Sequence, residues 1–356
     1  MKGVGVSRLA VIMLVAALSA GCSATTSKGE SADPASSPPA TLSPSAVPMP
    51  QPFPSVAGTP LPVRTVHIRL AGTDAPTGEN LSADARYVWS AGFRIDPATN
   101  SAAEVISGGH ADAVLSAAGS VWISDFNGSV VRRYTPAGKL LATIRGVNAP
   151  LGLATTPGAV WVADHHGGSI DRIDINTDKV TDRVMVSTPG LSGMQGLTVG
   201  LGSVWGDAGR TQSVSRVDPI TRRETLNIDL SGIGGDPCGG IAITAAAGWV
   251  SSCLDATQLV EFDPRTGKVL RAADIGAKVN DIIADGSTVW FVAGGDPDPN
   301  GSPHVAGVLI QMDRHWKVLH KYVLGPDFTS GGIVKAFGAI WASNSAAPEV
   351  VRIPLG

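Results

Sequence analysis

Leu151-Gly152-Leu153-Ala154-Thr155-Thr156-Pro157-Gly158-Ala159-Val160-Trp161-Val162-Ala163-Asp164, followed by Gly168-Ser169-Ile170-Asp171-Arg172-Ile173-Asp174, decides how the chain folds. It reads as strand, Gly turn, strand, Gly loop, strand, and the chain repeats it. Trp recurs at 89, 122, 161, 205, 249, 290 and 341, with gaps of 33, 39, 44, 44, 41 and 51 residues. Most lie in a Gly-x-Val-Trp setting, as in Gly119-Ser120-Val121-Trp122 and Gly202-Ser203-Val204-Trp205. A second beat follows at Arg94-Ile95-Asp96, Arg172-Ile173-Asp174 and Arg216-Val217-Asp218, with variants at Glu261-Phe262-Asp263, Gln311-Met312-Asp313 and Arg352-Ile353-Pro354. Repeats of about 40 residues made of short strands are the mark of a β-propeller. Seven anchors predict an all-β domain of seven four-stranded antiparallel blades.

Adjacent Val and Trp side chains on one strand point to opposite sheet faces. Neighbouring blades cover both faces, so the Trp series is expected in the core. Val63-Arg64-Thr65-Val66-His67-Ile68-Arg69-Leu70 resembles the outer strands of the repeat, whereas the last repeat ends near Pro354 without one. This N-terminal strand is therefore expected to pair into the last blade and close the ring, removing an exposed edge. Two blades depart from the pattern. Only five residues separate Trp89 from Arg94, against 11 in most blades, while 21 separate Trp290 from Gln311.

Residues 63–356 form the predicted propeller; what precedes them is different in kind. Lys2 and Arg8 flank an apolar run, Leu9 to Ala20, too short to span a membrane comfortably. The run ends in Leu18-Ser19-Ala20-Gly21-Cys22, which resembles the lipobox of bacterial lipoproteins, with Ser19 where Leu is commonest. The resemblance makes residues 1–22 a lipoprotein signal peptide and Cys22 the acylated residue. It places the protein on the outer face of the bacterial cytoplasmic membrane. Residues 23–62 are rich in Ser, Ala, Thr and Pro, too poor in large apolar groups to offset ordering entropy. As an extended tether they reach roughly 120 Å, at about 3.1 Å per residue.

Cys238 and Cys253 are the cysteines besides Cys22. A two-residue turn at Ala245-Ala246 pairs residues whose numbers sum to 491, and 238 + 253 = 491. Directly opposite cysteines outside the cytosol are expected to form a disulfide. A reactive or metal-binding pair is the alternative.

In a propeller, the connections entering the first strand and those between the second and third share one face. That face receives His110, Asp112, Asp125, Phe126, Asp164, His165, His166, Gln195, Asp207, Arg210, Asp255, Asn280 and Asp281. Asp112, Gln195 and Asn280 each fall ten residues before their Trp, at the start of the innermost strand beside the central funnel. His110, Asp112, Gln195, Asn280 and Asp281 are thus the candidate ligand-binding residues. Asp164-His165-His166 offers metal donors without a third ligand at matching spacing. Asp296-Pro297-Asp298-Pro299-Asn300-Gly301 matches the first half of a calcium loop through Asp296, Asp298 and Asn300, yet Gly307 stands where the bidentate Glu belongs. An Asp/Pro/Gly turn is the other reading of this insertion. No cofactor is read from these residues beyond a divalent cation, calcium or magnesium. Nucleophile-elbow, zinc-protease, phosphate-loop and dinucleotide motifs are missing from the sequence. A net charge of −3 and the lack of a basic run in residues 63–356 argue against nucleic acid as a partner.

Pro150-Leu151-Gly152-Leu153-Ala154, Gly158-Ala159-Val160-Trp161-Val162-Ala163 and Ile170-Asp171-Arg172-Ile173-Asp174 resemble the YVTN-type and streptogramin B lyase-like propellers. The resemblance implies the fold over residues 63–356. In the lyases it also implies a His and acidic residues around Mg²⁺ on the funnel face. The Gly-Pro-His-Gly-Ile type motif of those enzymes has no counterpart here, so their catalytic residues do not carry over. Two functions follow as expectations. One is a lipid-anchored propeller binding a protein partner or small envelope ligand at its funnel face. The other is a metal-dependent enzyme of the lyase or lactonase kind.

Overall fold

The computed structural model describes residues 64–70, 80–107, 111–186, 193–252, 257–295 and 305–355. Strand β1 (Val66–Arg69) precedes the first blade, formed by β2 (Leu81–Ala83), β3 (Val88–Ser90), β4 (Phe93–Asp96) and β5 (Ser101–Glu104). Blade two holds β6 (Ala113–Ala117), β7 (Ser120–Asp125), β8 (Val130–Tyr134) and β9 (Leu140–Ile144). Blade three holds β10 (Pro150–Thr156), β11 (Ala159–Asp164), β12 (Ser169–Asp174) and β13 (Lys179–Met185). In blade four stand β14 (Met194–Gly200), β15 (Ser203–Ala208), β16 (Ser213–Asp218) and β17 (Arg223–Asp229). Blade five is β18 (Pro237–Ile243), β19 (Gly248–Ser252), β20 (Gln258–Phe262) and β21 (Val269–Asp274). Blade six is β22 (Ile282–Asp285), β23 (Thr288–Gly295), β24 (Val305–Asp313) and β25 (Val318–Gly325). The last blade combines β26 (Ser330–Ala336), β27 (Ala339–Asn344), β28 (Glu349–Pro354) and the N-terminal β1.

Seven four-stranded antiparallel sheets result, and β1 pairs with β28, Val66 facing Arg352 and Ile68 facing Val350. The first strand of each blade packs against the first strand of the next, all the way round from β2 to β26 and back to β2. These strands therefore line the axis. Among the described residues the sole helical element is a short 3-10 turn, Gly209–Thr211.

The sequence ruler has a plain physical origin. Trp122 faces Arg133 across the ladder, as Trp161 faces Arg172, Trp205 faces Arg216 and Trp341 faces Arg352. The guanidinium lies over the indole at 5.0, 5.7 and 5.1 Å for Arg133, Arg216 and Arg352. Each indole N–H donates five residues back: Trp122 to Ala117 O, Trp161 to Thr156 Oγ1, Trp205 to Gly200 O and Trp341 to Ala336 O. The same Arg then crosses to the next blade. Arg94 donates to Pro136 O, Arg133 to Ile175 O, Arg216 to Pro264 O, and Arg352 to Pro97 O over the seam. The Asp of the beat closes the following turn. Asp174 Oδ1 accepts from Asn176 and Thr177 N–H, and Asp218 Oδ1 from Ile220 and Thr221 N–H. Those bonds hold both carboxyls below their usual range.

All seven anchor indoles are at most 2% exposed. Trp161 joins one interblade cluster with Val204 and Val217, while Val160 and Val162 join another with Trp122 and Val131. Burying one such side chain contributes about 1.5–3 kcal/mol, so the interblade faces dominate stability.

Three features refine the sequence expectations. The short first hairpin turns at Ala91-Gly92 between Ser90 and Phe93, which pair. In blade six, Gly295 pairs with Val305 at the ends of lengthened strands. The insertion they enclose, with Asp296, Asp298 and Asn300, lies outside the described residues. In blade five the two-residue turn holds, since Ala242 faces Trp249 and Ile241 faces Val250. A register shift then sets Pro237 opposite Ser252, so the sum falls from 491 to 489 at the end that carries Cys238. Cys238 is buried there, while Cys253 lies outside the described residues. The shift falls between Pro237 and Ile241, a bulge of the kind that recurs in β10, β14 and β26.

Candidate functional site

On the funnel face, most of the polar side chains serve the scaffold. Asp125 accepts from Gly128 N–H and pairs with Arg132 at 2.7 Å. Asp164 accepts from Gly167 and Asn148 N–H, and burial nonetheless pushes its carboxyl up. Asp112, expected at the funnel, accepts from Phe126 N–H at 2.7 Å and so ties the start of β6 to the end of β7. His165 Nδ1 donates to Met194 O at 3.0 Å, because a carbonyl can only accept. Burial depresses its basicity. The rings of Phe126, His165 and His166 meet edge to face at centroid separations of 5.2–5.3 Å. Gln195 and Asn280 are half-buried at or beside their axial strands. His110, Asp255 and the calcium-loop candidates lie outside the described residues. Among the described residues, no three His, Cys, Asp or Glu side chains gather as a metal-binding set.

Two positions break the repeat. The residue two after each anchor Trp is Ala91, Ser124, Ala163, Asp207, Ser251, Val292 or Ser343. The serines bond backbone: Ser124 Oγ accepts from Ala113 N–H, Ser343 Oγ from Gly332 N–H, and Ser251 Oγ donates to Val279 O. Asp207 does the same with one oxygen, Oδ1 accepting from Gly196 N–H at 2.7 Å. Its Oδ2 is buried without a hydrogen-bond partner, and the residue is 0% exposed.

The second position, nine before each Trp, holds Asn80, Ala113, Gly152, Gly196, Gly240, Asp281 or Gly332. Here axial strands approach too closely for most side chains. A Cβ on Gly152 would lie 2.3 Å from Gln195 O, and one on Gly332 2.4 Å from Leu81 N. Asp281 is accommodated because its Oδ2 accepts from Ile333 N–H of the next blade and its Oδ1 from Ile282 N–H.

The two aspartates share one neighbourhood. A Cβ on Gly196 would stand 3.0 Å from Asp207 Oδ2 and 3.2 Å from Gly240 Cα, and one on Gly240 2.8 Å from Asp281 Oδ1. Two bare glycines thus separate two carboxylates. Burial, partly offset by backbone N–H donors, lifts each carboxyl from 3.8 to about 7. The charge of Asp281 adds to the rise at Asp207, and no basic group ranks among the main influences on either. Counting ten back from Trp found Asn280 and, by adjacency, Asp281. Asp207 needed a different comparison, of residue types two after each Trp.

No protein-family profile and no curated protein matches the chain. Solved structures do. A streptogramin B lyase is 15% identical, with a TM-score of 0.64 over 81% of this chain and 96% of that one. Virginiamycin B lyase from Staphylococcus aureus is 16% identical, with a TM-score of 0.65 over 81% and 98%. The RRP9 WD40 repeats are 12% identical, with a TM-score of 0.67 over 83% and 99%. At these identities the likeness is one of fold, shared by an enzyme and a WD40 repeat alike.

Proposed function

We propose that the chain is a lipid-anchored, extracytoplasmic propeller that binds a protein partner or a small envelope ligand at its funnel face. The observation that carries the binding reading is the pair Asp207 and Asp281, two carboxylates at repeat positions where no other blade carries an acid. A buried carboxylate oxygen without a partner destabilises a fold, so its presence at a face built from loops favours a role in recognition. In this reading Cys22 carries the acyl anchor, residues 23–62 are the tether, and Cys238 bridges Cys253. By the chain-entropy model that bridge contributes on the order of 3 kcal/mol.

Two measurements test it. Labelled palmitate should enter the full chain and not a Cys22→Ala variant, and only the wild type should sediment with membranes. Envelope components retained by the wild type should be lost from Asp207→Ser and Asp281→Gly variants and kept by Ser343→Ala. Retention unchanged in both aspartate variants would remove the funnel floor from the binding site.

A second reading, an enzyme of the lyase or lactonase kind, draws on the same pair. Carboxyls titrating near 7 suit proton transfer at neutral pH. Opening of a cyclic depsipeptide or lactone by the wild type, abolished in Asp207→Asn and Asp281→Asn, would replace binding with catalysis.

A further inference from the structure

From the placement of charged and apolar turn residues we infer that the face opposite the funnel docks on an anionic lipid bilayer through blades four to six. This assigns a second surface beyond the funnel face, and it stands whether or not Cys22 is acylated.

Each blade sends two turns to this face, one between its first and second strands and one between its third and fourth. The outer turns of blades four, five and six, at 218–223, 263–268 and 313–317, each set two residues of Arg or Lys against one Asp. The matching turns elsewhere are poorer in cations. That of blade one, 96–101, has an Asp and no cation; blade two, 135–139, has a single Lys; blade three, 174–179, has two Asp and one Lys. In the basic sector the acids are committed to turn backbone. Asp218 Oδ1 accepts from Ile220 and Thr221 N–H, Asp263 Oδ1 from Arg265 and Thr266 N–H, and Asp313 Oδ1 from His315 and Lys317 N–H. Nearby, Asp182 is matched by Arg222 at 3.0 Å, and Glu224 accepts from Ser215 Oγ and Asn227 Nδ2. Arg223, Arg265, Lys268 and Lys317 are exposed, and their side chains form no ion pair with a described residue. The three turns are neighbours on the rim. Arg216 of blade four donates to Pro264 O of blade five, and Arg271 of blade five to His315 O of blade six.

Blade four adds apolar tips to this basic arc. Ile220 is 86% exposed, more than any other large apolar side chain among the described residues, and Leu201 in the inner turn of the same blade is 51% exposed. A lone apolar residue on a surface is ordinary; here two share the turns of one blade beside unpaired cations. The bilayer interface satisfies both kinds of group, since headgroup phosphates attract the cations and the acyl boundary takes the tips. An acidic polypeptide answers the charges alone. The course of the chain agrees with this orientation. Strand β1 starts at this face, with Val66 opposite Arg352 near the end of β28, so the chain preceding Arg64 joins the ring on the same side. Docking here turns the funnel away from the bilayer.

The test uses the full Cys22→Ala chain, which removes the acylated residue, and sedimentation with vesicles of phosphatidylcholine, pure or mixed with phosphatidylglycerol. Partitioning should be at least tenfold stronger onto the mixed vesicles at low salt, and added salt should screen the gain away. Arg223→Gln, Arg265→Gln and Lys268→Gln combined should abolish the gain; these side chains hold no part of the scaffold. Any contribution of the apolar run before Cys22 is common to parent and variant and cancels. Ile220→Ser should weaken binding to mixed vesicles severalfold with every charge kept. Hydrogen exchange should slow at 220–223 and 265–268 on those vesicles and stay unchanged at the funnel-face turns 126–129 and 165–168. Equal partitioning of parent and triple variant, or protection of the funnel turns instead, would overturn the assignment. So would charge-dependent binding of soluble polyglutamate with no preference for mixed vesicles, which identifies an acidic polypeptide. Failure of palmitate labelling with these turns still protected discards the anchor and keeps the face; retention through Cys22 with the turns unprotected does the reverse.

Discussion

Ser343 and Asp207 occupy the same place in blades seven and four, two residues beyond a buried Trp. Ser343 is closed on itself: its hydroxyl accepts from Gly332 N–H and lies 3.3 Å from Gly332 O as a donor. Asp207 makes the equivalent bond and then has an oxygen left over. Where this position is polar, one atom suffices to meet the neighbouring backbone, and the second oxygen of Asp207 goes beyond that. At the two repeat positions compared, a carboxylate stands only in blade four, as Asp207, and blade six, as Asp281.

The comparison is open to attack at several strengths. The bluntest is to remove scaffold outright. Deleting residues 64–70 strips β1 from β28 and exposes the buried Ile68 and Leu70 sites; a loss of about 5 kcal/mol should lower the melting temperature by roughly 10 °C. A truncated chain melting at the wild-type temperature would deny the seam any role in closing the ring. Next comes the graft in reverse. Ser343→Asp places a surplus oxygen in blade seven, where the hydroxyl already satisfies Gly332 N–H and lies 3.3 Å from Gly332 O. It should cost about 2–4 kcal/mol at pH 8 by chemical denaturation. If the variant matches wild type, carboxylates are tolerated anywhere on this ring and Asp207 loses its distinction.

A subtler probe is pH. Because Asp207 and Asp281 are raised from 3.8 to about 7, the folded protein holds protons that the unfolded chain has released. Their contribution is retained at low pH and lost as pH rises through about 7. Asp207→Ser should therefore gain several degrees of thermal stability over wild type at pH 8 and less at pH 5. Equal shifts at both values would mean that Asp207 does not titrate in this range. The smallest effect belongs to the ordinary position: Ser124→Ala forfeits one bond to Ala113 N–H and should cost about 1 kcal/mol at either pH.

The sequence carried the ring in unusual detail because its beat is a set of physical contacts. Trp and Arg stand 11 apart as cross-strand partners, and the Asp two after Arg closes the next turn. Three things stayed hidden. The bulges in β10, β14, β18 and β26 shift register around Gly152, Gly196, Gly240 and Gly332, a sign the Trp spacing alone does not read. The Arg bonds between blades span 42 to 48 residues, beyond any local pattern. Asp207 looked like one more polar residue at a strand end, since burial and a missing partner are properties of the fold. Of the five candidate funnel residues, Asp281 is one of the carboxylate pair, and Asp112 accepts from Phe126 N–H.

The seam between β1 and β28 also sets a timetable. His67 and Glu349 meet 2.7 Å apart although 282 residues separate them. Strand β1 must wait for β28, and a ladder this non-local is the slowest kind to form. Until it forms, β27 and β1 each present an open edge that invites proteolysis or aggregation. A chain cut short by its final strand keeps both edges bare. Ring closure thus acts as a proofreading step on synthesis itself, passed only by chains that carry β28.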